Sequence, residues 1–368
     1  MSPESLSYYP ELMLKCAGLH PYSSLKIVKF CYHHYLNYFF FIFLLFLAIL
    51  EVGISVKSDI YRAIEGLSSV LFMTLTLFRY AVNYRNKPSL AWLLKNRSKF
   101  WHLSQFQGAI RMECAKIMTT SANFIRNYKN YALVLAAIFY IQPFIFHELQ
   151  MKIYVPEGWF YYLYVVYWYM TPPLFVSVYG VTSMFCAICI PVTIQFKLLA
   201  HRFQNFDFND AKKLKHLVDY HNFLIEYCTR INRYSNGVLV FEFFITISVC
   251  CILIFIATND YPLVDKIKYS GFIVSQFLDT AIFCYNCELI SEASENVGKA
   301  VYDSLWYESE SEIRRNLPLV IARAQKKVTF SGYGLVWINM TTFTQVFKAT
   351  LSFTSYLNTV TVDEKTAK

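Results

Sequence analysis

Three charged residues, Glu242, Asp279 and Lys348, stand within or against otherwise apolar runs. An ionised side chain in hydrocarbon is costly, so each demands a partner, water or a function. Glu242 adjoins the run 243–259 and reads as a snorkelling or paired carboxylate. Asp279 lies deeper, within 269–287, and reads as a hydrogen bond to a neighbouring helix. Lys348 sits midway along 328–362, where an ammonium must face water or another helix, and a water-filled pore would satisfy it. Cys186-Ala-Ile-Cys189 and Cys284-Tyr-Asn-Cys287 both have the spacing of zinc knuckles. They lie in apolar helical runs, where cysteine acts as a small hydrophobe. His33-His34 reads as interfacial. The sequence has no HExxH, Gly-rich phosphate loop, GxSxG or paired-carboxylate pattern, so we expect no enzyme, no metal and no cofactor.

The elements that must position these residues follow from composition. The chain has 368 residues, 56% apolar and 16% charged, with 33 Phe and 29 Tyr. Soluble chains carry about 25% charge. The deficit excludes a soluble enzyme and a disordered chain and predicts a membrane protein. The net charge of +9 then reads as cytosolic loops rather than nucleic-acid binding. A helix needs about 20 residues to cross a bilayer. Seven runs qualify: 35–50, 61–78, 130–146, 158–196, 243–259, 269–287 and one within 328–362. Pro172 and Pro173 interrupt the fourth, but neither side supplies a separate span, so it reads as one long, kinked helix. Basic residues gather in the N-terminal segment and in the connections 79–129, 197–233 and 299–327, which places the N-terminus in the cytosol and the C-terminus outside. A G-protein-coupled receptor has the reverse orientation. Residues 1–25 lack the apolar core of a signal peptide. The sequons at Asn96 and Asn339 fall in the cytosol and in or near the membrane, so neither is expected to carry sugar.

The cytosolic connections carry amphipathic stripes. Leu214, Leu217, Val218, His221, Leu224, Ile225, Cys228 and Ile231 form one; Ile313, Leu317, Val320, Ile321, Ala324 and Val328 form another. They predict a packed helical layer in preference to helices lying on lipid. The outer loops are short, so a ligand must be small or enter between helices. The outer halves of spans two to six are aromatic with sparse polar groups: Ser68, Phe72, Phe139, Gln142, Trp168, Thr171, Tyr269, Phe272 and Gln276. Such a set suits a small hydrophobic ligand. The last helix is polar along its length, as a pore lining or as hydroxyls that join helices; Lys348, Ser352 and Ser355 are the candidates to line a pore. Tyr356, Thr359 and Val360 share one face near its end, where bulky rings could close a pore by dewetting.

Two segments carry a family resemblance. Cys284-Tyr-Asn-Cys287-Glu288, Ser291, Ser294 and 300–307 (Ala-Val-Tyr-Asp-Ser-Leu-Trp-Tyr) are similar to the sixth-helix signature of insect odorant receptors. Arg314-Arg315, 321–326 and the sequence Phe343-Thr344, Phe347-Lys348, Leu351-Ser352-Phe353 resemble that family's seventh helix in its cytosolic and pore parts. Lys327 and Phe353 depart from residues common in the family, Pro and Tyr. The resemblance implies an all-α, seven-span subunit of a tetrameric channel with a cytosolic anchor layer. It implies segments 1–34 (cytosolic), 35–200 (spans one to four), 201–330 (anchor helices and spans five and six) and 331–368 (pore helix and extracellular tail). It further implies a non-selective cation channel gated by a volatile hydrophobic ligand, a shared co-receptor subunit, no G protein, and the plasma membrane of olfactory neuron dendrites. Tyr356 and Val360 match the family's outer gate, with Thr359 beside them; Trp306, Tyr307, Leu317 and Ile321 fall to anchor packing. A homomeric gustatory-type channel and a carrier of small hydrophobic molecules are the alternatives.

Overall fold

Long apolar runs poor in glycine have only their own backbone to bond in lipid, so they form helices. The computed structural model describes residues 3–22, 27–206, 210–258, 263–304, 306–308 and 311–366, with side chains for all of these except 3–5, 27–33, 60, 264–265, 308, 311–313, 316, 357–358 and 360–366. Its elements are α1 (Pro3–Cys16), α2 (Ile27–Ser55), α3 (Ile60–Arg85), α4 (Lys87–Asn96), α5 (Gly108–Phe146), α6 (Phe160–Phe175), α7 (Val181–Gln204), α8 (Ala211–Thr258), α9 (Leu263–Tyr302), α10 (Ser311–Gln325), β1 (Ser331–Gly332), β2 (Val336–Trp337) and α11 (Met340–Thr366).

Seven long segments form an all-α bundle: α2, α3, α5, α6 continuing into α7, α8, α9 and α11. Four stretches are long and apolar enough to cross a membrane by length and composition: His34–Ser55, Gly108–Phe146, Phe160–Gln204 and Ala211–Thr258. α3, α9 and α11, with 26, 40 and 27 residues, exceed the roughly 20 that a crossing needs but carry more polar groups.

The run around Pro172 and Pro173 is one continuous helical segment. Both prolines stay inside α6, and the disturbance falls just after them, in a π turn at Val176–Gly180. A wider turn absorbs the amide bonds that proline cannot make. α7 is buried along almost its whole length and packs on α9. Both CxxC pairs lie in this core with all four thiols buried and unbridged. His34 faces into the bundle. It is buried, stacks on Tyr84 at 3.6 Å between ring centroids, and sits 3.2 Å from the Tyr80 hydroxyl.

At one end of the bundle the first half of α8 packs against α4 and α7. Leu214, Leu217, His221, Leu224, Cys228 and Ile231 are all buried there. Tyr220 donates to Gln195 Oε1 at 2.7 Å and Tyr227 to the Leu93 carbonyl at 2.9 Å. α10 lays Leu317, Val320 and Ala324 on α9, leaving Arg314, Arg315 and Arg323 exposed. Both stripes thus find partners within the chain. Trp306 and Ile321 are half-buried and Tyr307 exposed at the same end.

Between α10 and α11 the chain makes a two-stranded antiparallel hairpin, with Ser331 opposite Trp337 and Gly332 opposite Val336. Tyr333 and Gly334 turn it at positive φ. Gly332 lies so close to α8 that an added Cβ would stand 2.0 Å from Val240 Cγ2. Asn339 caps α11 by accepting the Thr342 amide at 2.8 Å, and the buried Asn96 side chain donates to the Trp92 carbonyl at 2.9 Å.

Candidate functional site

The bundle's centre holds a charge cluster. Arg79 of α3 is fully buried. Its Nε donates to Glu242 Oε2 at 2.8 Å, and its Nη1 to Asp279 Oδ2 at 2.8 Å and to the Val178 carbonyl in the π turn at 3.4 Å. Glu242 Oε1 accepts Gln276 Nε2 at 2.8 Å, and Asp279 Oδ1 accepts the Tyr128 hydroxyl from α5. One guanidinium therefore ties α3, α8, α9 and the π turn together, with α5 joined through Tyr128. Glu242 does not snorkel, because it is buried and paired. The sequence reading places Arg79 among the basic residues of the connection after the second span. The structure overturns this: α3 runs on to Arg85, and Arg79 points inward to two carboxylates that could not stay buried unpaired.

Against this cluster lies an apolar cavity of about 60 Å³. α3 contributes Ser68 and Phe72, α5 Leu135 and Phe139, the α6–π segment Leu174 and Tyr179, and α9 Tyr269, Phe272, Ser275, Gln276 and Asp279. Phe139 packs edge-on to Phe175 and Phe272, with centroids 5.4 and 5.5 Å away. The segment after α5 supplies the remaining wall. Leu149, Met151 and Ile153 are buried, Lys152 N donates to Ser69 Oγ at 3.1 Å, and Gln150 and Met151 face the cavity.

Six of the nine residues expected to bind ligand meet here: Ser68, Phe72, Phe139, Tyr269, Phe272 and Gln276. Three lie off the cavity. Gln142 accepts from Gln150 behind the wall, Thr171 donates back to the Tyr167 carbonyl, and Trp168 is exposed, its indole donating to the Tyr164 hydroxyl. The sequence reading missed Gln150, Met151, Tyr179, Ser275 and Asp279 as lining. The alternation Leu149-x-Met151-x-Ile153 in a supposedly plain loop was a legible sign that it folds inward.

α11 has two faces. Val346, Thr350 and Thr354 are buried on the bundle, and Cys251 Sγ of α8 donates to the Thr350 carbonyl at 3.5 Å. Lys348, Ser352, Ser355, Tyr356 and Thr359 are exposed on the other side. The Ser352, Ser355 and Thr359 hydroxyls bond back to carbonyls of their own helix. The Val360 side chain lies outside the described residues. Phe347 packs on Phe277 of α9, centroids 5.2 Å apart.

Bundle and cavity together define a helical membrane protein built around a small apolar cavity. Residues 59–351 match the family described as 7tm Odorant receptor, and the chain belongs to that family, whose members are receptors and not enzymes. Odorant receptor 82a of Drosophila melanogaster is 25% identical over 187 residues, covering 49% of this chain and 48% of that protein. Odorant receptor Or2 of Anopheles gambiae is 24% identical over 148 residues, covering 40% and 39%. The chain spans about half the length, or less, of the curated relatives it matches. Among solved structures, the olfactory receptor OR5 of Machilis hrabei in complex with eugenol superimposes with a TM-score of 0.84 at 14% identity, covering 96% of this chain and 97% of that one. The same receptor solved without eugenol gives 0.83. The shared fold is that of an insect olfactory receptor.

Proposed function

We propose that this chain is the odorant-binding subunit of a heteromeric, ligand-gated, non-selective cation channel, assembled with a co-receptor subunit. A volatile binds in the cavity among α3, α5, α6, α8 and α9. One adjacency carries this reading: Gln276 lines the cavity, while the next residue, Phe277, packs on Phe347 of α11. The wall of the cavity is thus one residue from the helix proposed to line the pore. On this reading channel opening goes with a widened form of the cavity. A ligand that binds the widened state more tightly shifts the population toward it, the only way a ligand can drive opening.

On this reading the exposed face of α11, with Lys348, Ser352 and Ser355, lines the pore. Tyr356, Thr359 and Val360 gate it, and Asp363 and Glu364 concentrate cations beyond. No acidic ring stands at the gate, so selection among cations is loose. The basic residues of 80–129, 197–233 and 299–327 support a cytosolic N-terminus and an extracellular C-terminus. The setting is the dendritic plasma membrane of an olfactory neuron, and no G protein takes part. Tyr356→Ala and Val360→Ala test the gate. Either should raise basal current or alter conductance; unchanged behaviour in both would remove the gate from α11.

A further inference from the structure

The hydrogen-bond bookkeeping at the cavity's polar end identifies what kind of head group it receives. Gln276 Nε2 donates to Glu242 Oε1 at 2.8 Å and to Thr246 Oγ1 at 2.9 Å, so both amide hydrogens are committed. The flipped amide would set its oxygen against the Glu242 carboxylate, which fixes the orientation. Gln276 therefore presents only Oε1 to the cavity, and this oxygen accepts no hydrogen bond among the described residues. Beside it, the Tyr179, Ser275 and Tyr131 hydroxyls bond to one another. Tyr179 donates to Ser275 Oγ at 3.3 Å, Ser275 lies 2.6 Å from the Tyr131 hydroxyl, and Tyr131 donates to the Gly271 carbonyl at 3.5 Å. Asp279 offers acceptors alone, and the cluster sets two carboxylates against one guanidinium. Across the cavity, Gln150 donates through Nε2 to Gln142 and leaves its own Oε1 buried with no hydrogen-bond partner among the described residues. A buried acceptor without a donor is unfavourable, and a ligand that supplies the donor recovers that loss.

We infer that this cavity selects odorants with a hydrogen-bond-donating head, a hydroxyl or an amine, on an apolar body, over ethers, esters and hydrocarbons of the same shape. The inference rests on the reading of this cavity as the odorant site. The apolar body lies against Phe72, Phe139 and Phe272. The donor meets Gln276 Oε1 at one end or Gln150 Oε1 at the other. An ether or ester brings acceptors only and leaves both oxygens unpaired, a mismatch that sites built for a donor reject strongly.

The test is a concentration–response series on the chain expressed with the co-receptor, using 1-hexanol, hexylamine and methyl pentyl ether. At least one of the alcohol and the amine should act at about tenfold or more lower concentration than the ether, the size expected for one hydrogen bond to a buried acceptor. Gln276→Met should narrow that ratio if the donor meets Gln276 Oε1. Because Gln276 also braces Glu242, Gln150→Leu serves as the second variant. It removes the unpartnered carbonyl without touching the cluster and should narrow the same ratio if the donor meets Gln150 Oε1. Equal potency of all three compounds in the wild type, or an unchanged ratio in every variant that reaches the surface, overturns the inference and leaves the odorant site standing. Silence toward all three, with a broad volatile panel also silent, overturns the odorant site and this inference with it.

Discussion

Arg79 donates through Nε to Glu242 at 2.8 Å and brings Nη2 to 2.5 Å from the same carboxylate oxygen, joining α3 to α8 across 163 residues of chain. With Asp279 on the guanidinium's other side, the cluster is the polar centre of an otherwise apolar bundle, directly against the cavity.

Removing the cation should therefore cost more than removing the whole cluster. Arg79→Met leaves two buried carboxylates uncompensated, a loss on the order of 3–5 kcal/mol, and should abolish surface expression. The triple variant Arg79→Met, Glu242→Gln, Asp279→Asn should recover part of it. Thermal stability by fluorescence-detected size exclusion measures both; an Arg79→Met protein that melts with the wild type contradicts the assignment.

Phe139 lines the cavity and packs on Phe175, Phe272 and Tyr167. Phe139→Ala should enlarge the space and move the best chain length in an alcohol series up by about two carbons, at some loss of stability. The check is the rank order of potencies across that series, and an unmoved optimum places ligands elsewhere.

Gly332 gives a rescue test. Gly332→Ala drives a Cβ into Val240, and the β-branched valine has little freedom to swing away. The hairpin that leads into α11 should loosen and maximal current should fall. Val240→Ala in the same chain should restore it. Failure of the second change to restore current would detach the hairpin from channel function.

His221 sets a pH dependence at the anchor end. Burial, aided by Arg323, pushes its imidazole down to about 4, whereas an unfolded histidine titrates at about 6.5. The fold holds the ring neutral, so this contribution is complete above pH 6.5 and is lost as pH falls from 6.5 toward 4. Melting temperature should drop between pH 7 and pH 5, and His221→Leu should flatten that drop. An equal drop in the variant assigns the effect to other groups.

The seven helices and both amphipathic stripes were legible because each rests on a period or a run length. Glu242 and Asp279 announced a buried need for charge, and their partner stood at the end of the second run. A basic residue after an apolar stretch also has the form of a loop anchor, so the sequence alone does not turn Arg79 inward. Two intramembrane carboxylates call for a buried cation between them. Trp168 and Gln142 sit off the cavity because span four and the end of span three are apolar on all sides, so periodicity alone does not say which face turns inward. The hairpin is two residues per strand, too short for alternation to register, although Gly332 and Gly334 mark its turn.

The most direct measurement is recording from excised patches in GTP-free solution, with a volatile panel, from cells expressing this chain with and without the odorant receptor co-receptor. The account predicts a fast cation current that requires both subunits and the ligand. A ligand-evoked current from this chain alone would contradict the heteromer, and saturable uptake of a volatile with no conductance would contradict the channel.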